Sequence, residues 1–230
     1  GYMDFNRVLT NATGMLLSGV KITVLISLFS IAIGIVIGLL SCLMDISKSK
    51  VLQGISKAYV WIIRGTPMIV QAIFIFYGIP QLFRMFVGKF TFSPFSAGVI
   101  TLSLNAGAYL SEIFRGGINA VPKGQMEAAR SLGFSYRKSM MKIVLPQAFK
   151  IALPSMVNQF IITIKDTSIL SVIGLAELTN RANTYVGKTY QYFETYLFVA
   201  AYYLIVISIL MIVSKRLENK INYERKSKSN

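Results

Sequence analysis

Four stretches of this chain carry no charge over a length comparable to the thickness of a lipid bilayer. Ile22–Met44, Gly65–Phe83, Phe90–Ser111 and Thr195–Ser214 contain no Asp, Glu, Lys or Arg over 23, 19, 22 and 20 residues. A helix needs about 20 mostly apolar residues to cross roughly 30 Å of hydrocarbon. Inside lipid the backbone must satisfy its own hydrogen bonds, which a helix does within one segment. The runs therefore predict an all-α, polytopic membrane helical bundle. A fifth span is interrupted. Ile151–Ile164 is uncharged for 14 residues, Lys165-Asp166 follow, and Thr167–Ala176 is uncharged again. Fourteen residues rise only about 21 Å, so either Lys150 snorkels at the membrane edge or Lys165-Asp166 lie at membrane depth. The expectation is five transmembrane helices, near 22–44, 60–83, 90–114, 148–168 and 195–214, in one domain over 18–218.

The charges outside these spans predict the orientation. The segments Gly1–Lys21, Arg84–Lys89 and Lys165–Glu194 hold 7 Lys or Arg, whereas Asp45–Arg64, Glu112–Lys150 and Lys215–Asn230 hold 17. Cytoplasmic loops are the ones enriched in Lys and Arg. Residues 1–21 are thus an expected extracytoplasmic N-terminal segment, and 215–230 an expected cytoplasmic tail. The net charge of +15 follows mostly from this bias and favours anionic inner-leaflet lipid. It gives no reason to expect nucleic acid, because the basic residues are scattered over membrane-edge loops.

Enzyme chemistry finds little support. With no His and one Cys, Cys42, neither a zinc site nor a serine–histidine triad is available. No catalytic residue and no metal is expected. Ala182–Thr189 loosely fits a phosphate-loop pattern, but the strict form needs a first glycine and a preceding strand, and both are missing. Within the spans, Ser30, Gly34, Gly38 and Cys42 form a small-residue stripe that lets helices approach closely, within one subunit or between two. Pro67 predicts a break or kink near Arg64. Glu112 and Arg115 share one helix face, as an interfacial ion pair or as part of a transport path.

One stretch is too polar for these surroundings: residues 124–146, GQMEAARSLGFSYRKSMMKIVLP. Val121-Pro122-Lys123-Gly124 is a turn signal, and Gln125–Leu132 is helix-forming. Gly133 ends that helix and Ser135 can cap the next, which is expected over Tyr136–Leu145 and to stop at Pro146. Two short helices anchored by spans make a compact cytoplasmic knob, whose small residues would admit another protein's surface. A basic amphipathic elbow on the membrane surface is the other reading.

The spacing Glu127-Ala128-Ala129, three residues, Gly133, nine residues, Ile143, one residue, Leu145-Pro146 resembles the EAA loop in permease subunits of bacterial ABC importers. Further stretches resemble the polar amino-acid branch: Arg64-Gly65-Thr66-Pro67 with Val70-Gln71, Tyr77-Gly78-Ile79-Pro80, Ala108 to Gly117, Val121 to Gln125, and Lys165-Asp166-Thr167-Ser168. Ser111 stands where alanine is usual, and Ile169 where leucine is usual. The resemblance implies a type I importer permease (MetI-like) architecture in a bacterial inner membrane, with 121–146 as the coupling loop. It also implies a second permease subunit, two ATP-binding subunits and an extracytoplasmic amino-acid-binding protein. ATP and magnesium would belong to the partner ATPase, and this chain itself would bind no cofactor and be no enzyme. Glu127, Ala128, Ala129, Gly133, Ile143, Leu145 and Pro146 would contact the ATPase. An amino-acid zwitterion needs both its charges matched once water is stripped away. The polar candidates for its path or gate are Thr66, Gln71, Asn105, Tyr109, Asn158, Lys165, Asp166 and Ser168. A secondary transporter or channel without an ATPase partner is the competing reading.

Overall fold

A computed structural model describes residues 3–227. The first helix, α1 (Phe5–Asp45), is 41 residues long, and the Asp4 side chain caps it by accepting from the Arg7 N–H. At 1.5 Å per residue it measures about 60 Å, twice the hydrocarbon thickness. The stretch expected to precede the first span is therefore helical and continuous with it.

The second span is built in pieces. Helix α2 (Lys50–Gly65) ends where Thr66 and Pro67 are both extended, and α3 (Met68–Ile73) begins directly after them. A residue before proline is pushed out of the helical region, which places the expected break at Thr66. A wide, π-type turn over Phe74–Gly78 leads into α4 (Ile79–Val87). The continuous apolar helical stretch here runs over Met68–Val87, beside the expected span of 60–83.

After Ser93, whose side chain caps it, α5 (Pro94–Asn119) runs through the middle of the bundle. Then come α6 (Lys123–Ser131) and α7 (Tyr136–Ser139), a second π-type turn over Met140–Val144, and α8 (Leu145–Asp166). A 3-10 segment over Thr167–Ile173, α9 (Leu178–Thr189) and α10 (Tyr192–Ser227) complete the chain. No strand occurs among the described residues, in keeping with the all-α expectation.

Among the described residues, four helical stretches are long and apolar enough to cross a membrane: Phe5–Asp45, Met68–Val87, Tyr136–Ile173 and Tyr192–Lys220. The remaining expected span, α5, is not one of them, and its neighbours give the reason. It buries Thr101, Ser103, Asn105, Gly107, Ser111 and Gly117 against α1, α2 and α8. A helix screened from lipid by other helices is free to carry small and polar residues, which permit close packing. The stripe on α1 meets this helix. Ser30, Gly34, Gly38 and Cys42 are all buried, and a Cβ on Gly34 or Gly38 would press on Ala106 or Leu110. The stripe therefore packs within the subunit.

Near the knob end of this contact, three hydroxyls join three helices. The Ser41 and Ser56 hydroxyls lie 2.8 Å apart, Ser56 Oγ donates to the Ser41 carbonyl at 2.7 Å, and Ser111 Oγ donates to Ser41 Oγ at 3.1 Å. By contrast α10 leaves Leu204, Ile205, Ile209 and Ile212 exposed, as a lipid-facing helix does.

Both π-type turns precede a proline. Ile79 N–H donates to Phe74 O two residues after Tyr77, and Leu145 N–H donates to Met140 O, with Pro80 and Pro146 next in sequence. A proline ring clashes with the carbonyl four residues back, and widening the preceding turn relieves that clash. Pro146 thus does not end the knob's second helix, as the sequence suggests. The chain winds on from Tyr136 through Ile173 as one helical stretch, and α7 keeps only four residues of regular helix. Ala182–Thr189 lies inside α9, where its backbone amides serve a helix and not a phosphate.

Candidate functional site

The knob hangs between the knob-proximal ends of α5 and α8, and its base is packed. Val121, Val144 and Ala148 are buried together, with Ile118, Met126 and Met140 against them. A Cβ on Gly117 would lie 2.6 Å from the Ala148 carbonyl oxygen, so α5 and α8 approach at backbone contact close to where the chain leaves and re-enters the bundle. Within α6, only Ala129 is buried. Glu127 and Ala128 face outward.

The corner between α6 and α7 has a defined geometry. Gly133 sits at φ +80°. Its N–H donates to Arg130 O at 3.0 Å, and Phe134 N–H donates to Ala129 O at 3.2 Å. This pair of bonds closes a helix end with a left-handed residue, a position that strongly favours glycine. Arg130 Nη1 donates to Phe134 O at 3.2 Å. Ser135 Oγ accepts from the Lys138 N–H, and the Lys138 ammonium lies 4.2 Å from the Phe134 ring centre. The corner is thus rigid without being buried. Leu132 is 79% exposed, and Tyr136 and Met141 are also more than half exposed. Ile143 and Leu145 are half-buried in the wide turn and the start of α8, and Pro146 is exposed. Glu127 is the single acid among Lys123, Arg130, Arg137, Lys138 and Lys142. The result is a rigid, basic projection with an apolar tip.

The path candidates fall into separate groups. Thr66 and Gln71 meet at the bend: Gln71 Nε2 donates to Thr66 Oγ1 at 2.8 Å, to Thr66 O at 3.0 Å and to Ile63 O at 2.8 Å. Both line a concavity of about 360 Å³ whose other walls include Ile62, Val70, Phe74 and Leu104. Tyr109 is exposed beneath the Arg64 guanidinium, 5.2 Å from the ring centre. Asn105 is buried on α5, whereas Asn158 and Lys165 are exposed on α8. Asp166 and Ser168 are half-buried, and Ser168 Oγ donates to Lys165 O at 2.7 Å. Among the described residues no ion pair joins Lys165 to Asp166.

Some polar groups escaped the sequence reading. Asp45 enters a charge network with Glu112, Arg115 and Arg64, a pairing between helices that linear spacing does not reveal. Glu177 is fully buried and caps α9, accepting from the Thr179 and Asn180 N–H groups and from the Tyr203 hydroxyl. Glutamate is not one of the usual capping residues, so the linear sequence carries no cap signal for it. No group of three or more metal-ligating side chains occurs among the described residues.

Residues 30–223 match the family described as binding-protein-dependent transport system inner membrane component. The chain is 37% identical over 219 residues to the arginine transport system permease protein ArtQ of Bacillus subtilis (strain 168), covering 95% of this chain and 97% of that one. It is 36% identical over 210 residues to the glutamine transport system permease protein GlnP of Escherichia coli (strain K12), covering 91% and 94%. Among solved structures, an amino acid ABC transporter crystallised with histidines has a chain of similar fold. The TM-score is 0.88 at 36% identity, covering 96% of this chain and 100% of that one. The MetNI methionine ABC transporter shares the fold at a TM-score of 0.76 and 20% identity, over 91% and 97% of the two chains.

Proposed function

This chain belongs to the family of binding-protein-dependent transport system inner membrane components and is a permease subunit of an amino-acid ABC importer, and from that premise we propose how its parts divide the work. The knob around Glu127–Gly133 is the contact through which an ATPase moves the chain. The observation that carries this reading is the rigid corner at Gly133 with exposed Leu132 and Tyr136 beside it. An apolar tip held out on a fixed backbone loses little freedom on docking. Two ATP-binding subunits would hold ATP and magnesium, and the knob side of the bundle is cytoplasmic, as the Lys and Arg bias of the loops indicates. The N-terminus then lies outside, and a binding protein delivers the substrate there.

Asn158, Lys165 and Tyr109 support a polar path. Each is exposed on the single chain, and polar groups at membrane depth are costly against lipid. They face a second permease subunit or water, and alternating access between the two subunits carries the amino acid. The names of the relatives point to a polar amino acid such as arginine or glutamine. Glu127→Lys and Gly133→Trp test the knob. Each variant should still insert in the membrane but lose co-purification with the ATPase subunit and lose uptake. Normal ATPase association with normal uptake in both would overturn the assignment. The whole-length match to importer permeases disfavours a secondary transporter.

A further inference from the structure

At the knob end of the bundle, four charged side chains from three helices share one network. Arg115 Nη2 lies 2.6 Å from Glu112 Oε2, and Arg64 Nη1 lies 3.4 Å from the same oxygen. Arg115 Nε lies 3.7 Å from Asp45 Oδ2. We propose that this Asp45–Arg115–Glu112–Arg64 network transmits movement of the knob to the bend at Gly65–Pro67; the proposal rests on the importer reading above.

The join between knob and network is stiff. Only Ala120–Pro122 separate α5 from α6, and Ala120 N–H to Gly116 O and Val121 N–H to Ile118 O close that join at 3.0 and 3.2 Å. A displaced knob therefore carries the end of α5, with Glu112 and Arg115, along with it. Arg64 receives that movement on α2, one residue before the bend begins.

The bend is built to yield. Pro67 has no N–H, so the Ile63 carbonyl loses its helical donor, and the Gln71 side chain supplies the replacement at 2.8 Å. A side-chain amide thus holds the bend where a backbone ladder would otherwise run. The halves on either side of it pack on different neighbours. Below, α2 is tied to α1 and α5 by the Ser41, Ser56 and Ser111 hydroxyls. Above, Met68, Ala72 and Ile75 pack with Leu170, Ile173 and Leu175, on the segment that follows Lys165-Asp166. A shift at Arg64 changes the angle between these two bodies, and with it the surroundings of Thr66, Gln71 and the α8 end.

The network is also suited to re-pairing. One carboxylate oxygen serves both arginines, and the buried Asp45 Oδ1 and Arg115 Nε lack hydrogen-bond partners. Its side chains are 17–44% exposed, so exchange of partners avoids stranding a charge in a dry core.

The test is a double-mutant cycle in the complete complex with ATPase and binding protein, using Arg64→Gln, Glu112→Gln, the double variant, and Arg64→Lys. The readouts are assembly, ATP hydrolysis, and amino acid imported per ATP hydrolysed. The expected result is normal assembly, hydrolysis within about twofold of wild type, and import per ATP reduced by about tenfold in each Gln variant, within the usual range of coupling between sites. The double variant should be no worse than either single variant, because contacting residues of one network are not additive. Arg64→Lys should restore most of the ratio by keeping the charge. Unchanged import per ATP, additive losses, or loss of assembly alone would overturn the proposal. Failure of the wild-type complex to couple import to ATP would overturn the importer reading instead.

Discussion

Glu177 shows how one side chain fixes a corner of this protein. It lies between the 3-10 segment and α9, fully buried, and its carboxylate receives the Thr179 N–H at 2.8 Å and the Asn180 N–H at 2.6 Å. Tyr203 on α10 donates to it at 3.1 Å, so one carboxylate ties the start of α9 to the last helix. Burial pushes its carboxyl above the ordinary carboxylate range, against the opposing pull of those donors. The folded state then holds the proton more tightly than the unfolded chain does. This contribution to stability is full below the ordinary Glu pKa of about 4.3 and declines as pH rises through the raised folded value. Thermal unfolding of the solubilised protein across that range should show the decline in wild type and a flatter profile in Glu177→Gln. Parallel profiles would remove Glu177 as the group responsible.

Among the elements, the knob's base places the tightest demand on sequence. Gly117 sets the α5–α8 crossing, because a Cβ there meets the Ala148 carbonyl oxygen at 2.6 Å. Gly117→Leu should cost about 1–3 kcal/mol, as overpacking commonly does, and should splay the knob; Gly116→Ala, with open space around it, should be neutral by the same thermal measurement. Equal stability of the two variants would contradict this packing. The local signals here were readable from sequence where one residue dictates the backbone. Pro67 announced the break, and Gly133 and Ser135 announced the corner. Pro146 misled, because a proline mid-stretch reads as a stop, whereas the wide turn at Met140–Val144 lets the helix continue. Polarity alone makes Gln71 a path candidate in the sequence. Its bond to Ile63 O depends on the backbone donor that Pro67 lacks, a link between residues that composition does not display.

For the whole molecule, charge-free runs were enough to define a helical membrane protein, and the Glu127–Pro146 spacing was enough to suggest its family. The arrangement of the helices was not readable in the same way. Linear hydropathy does not say which span lies in the centre, and α5 takes that place because its small and polar residues fit between α1, α2 and α8. The Asp45–Arg115 pairing depends on that arrangement. The proposed division of labour is simple: the knob on one side receives the movement of an ATPase, and polar side chains along the membrane serve the amino acid. The most direct test of that account is uptake by proteoliposomes holding this chain with the ATPase and binding protein proposed to partner it. Uptake of a polar amino acid should require ATP inside the compartment that contacts the knob and should persist when ion gradients are collapsed. Uptake that continues without ATP and stops when the gradients are collapsed would contradict it.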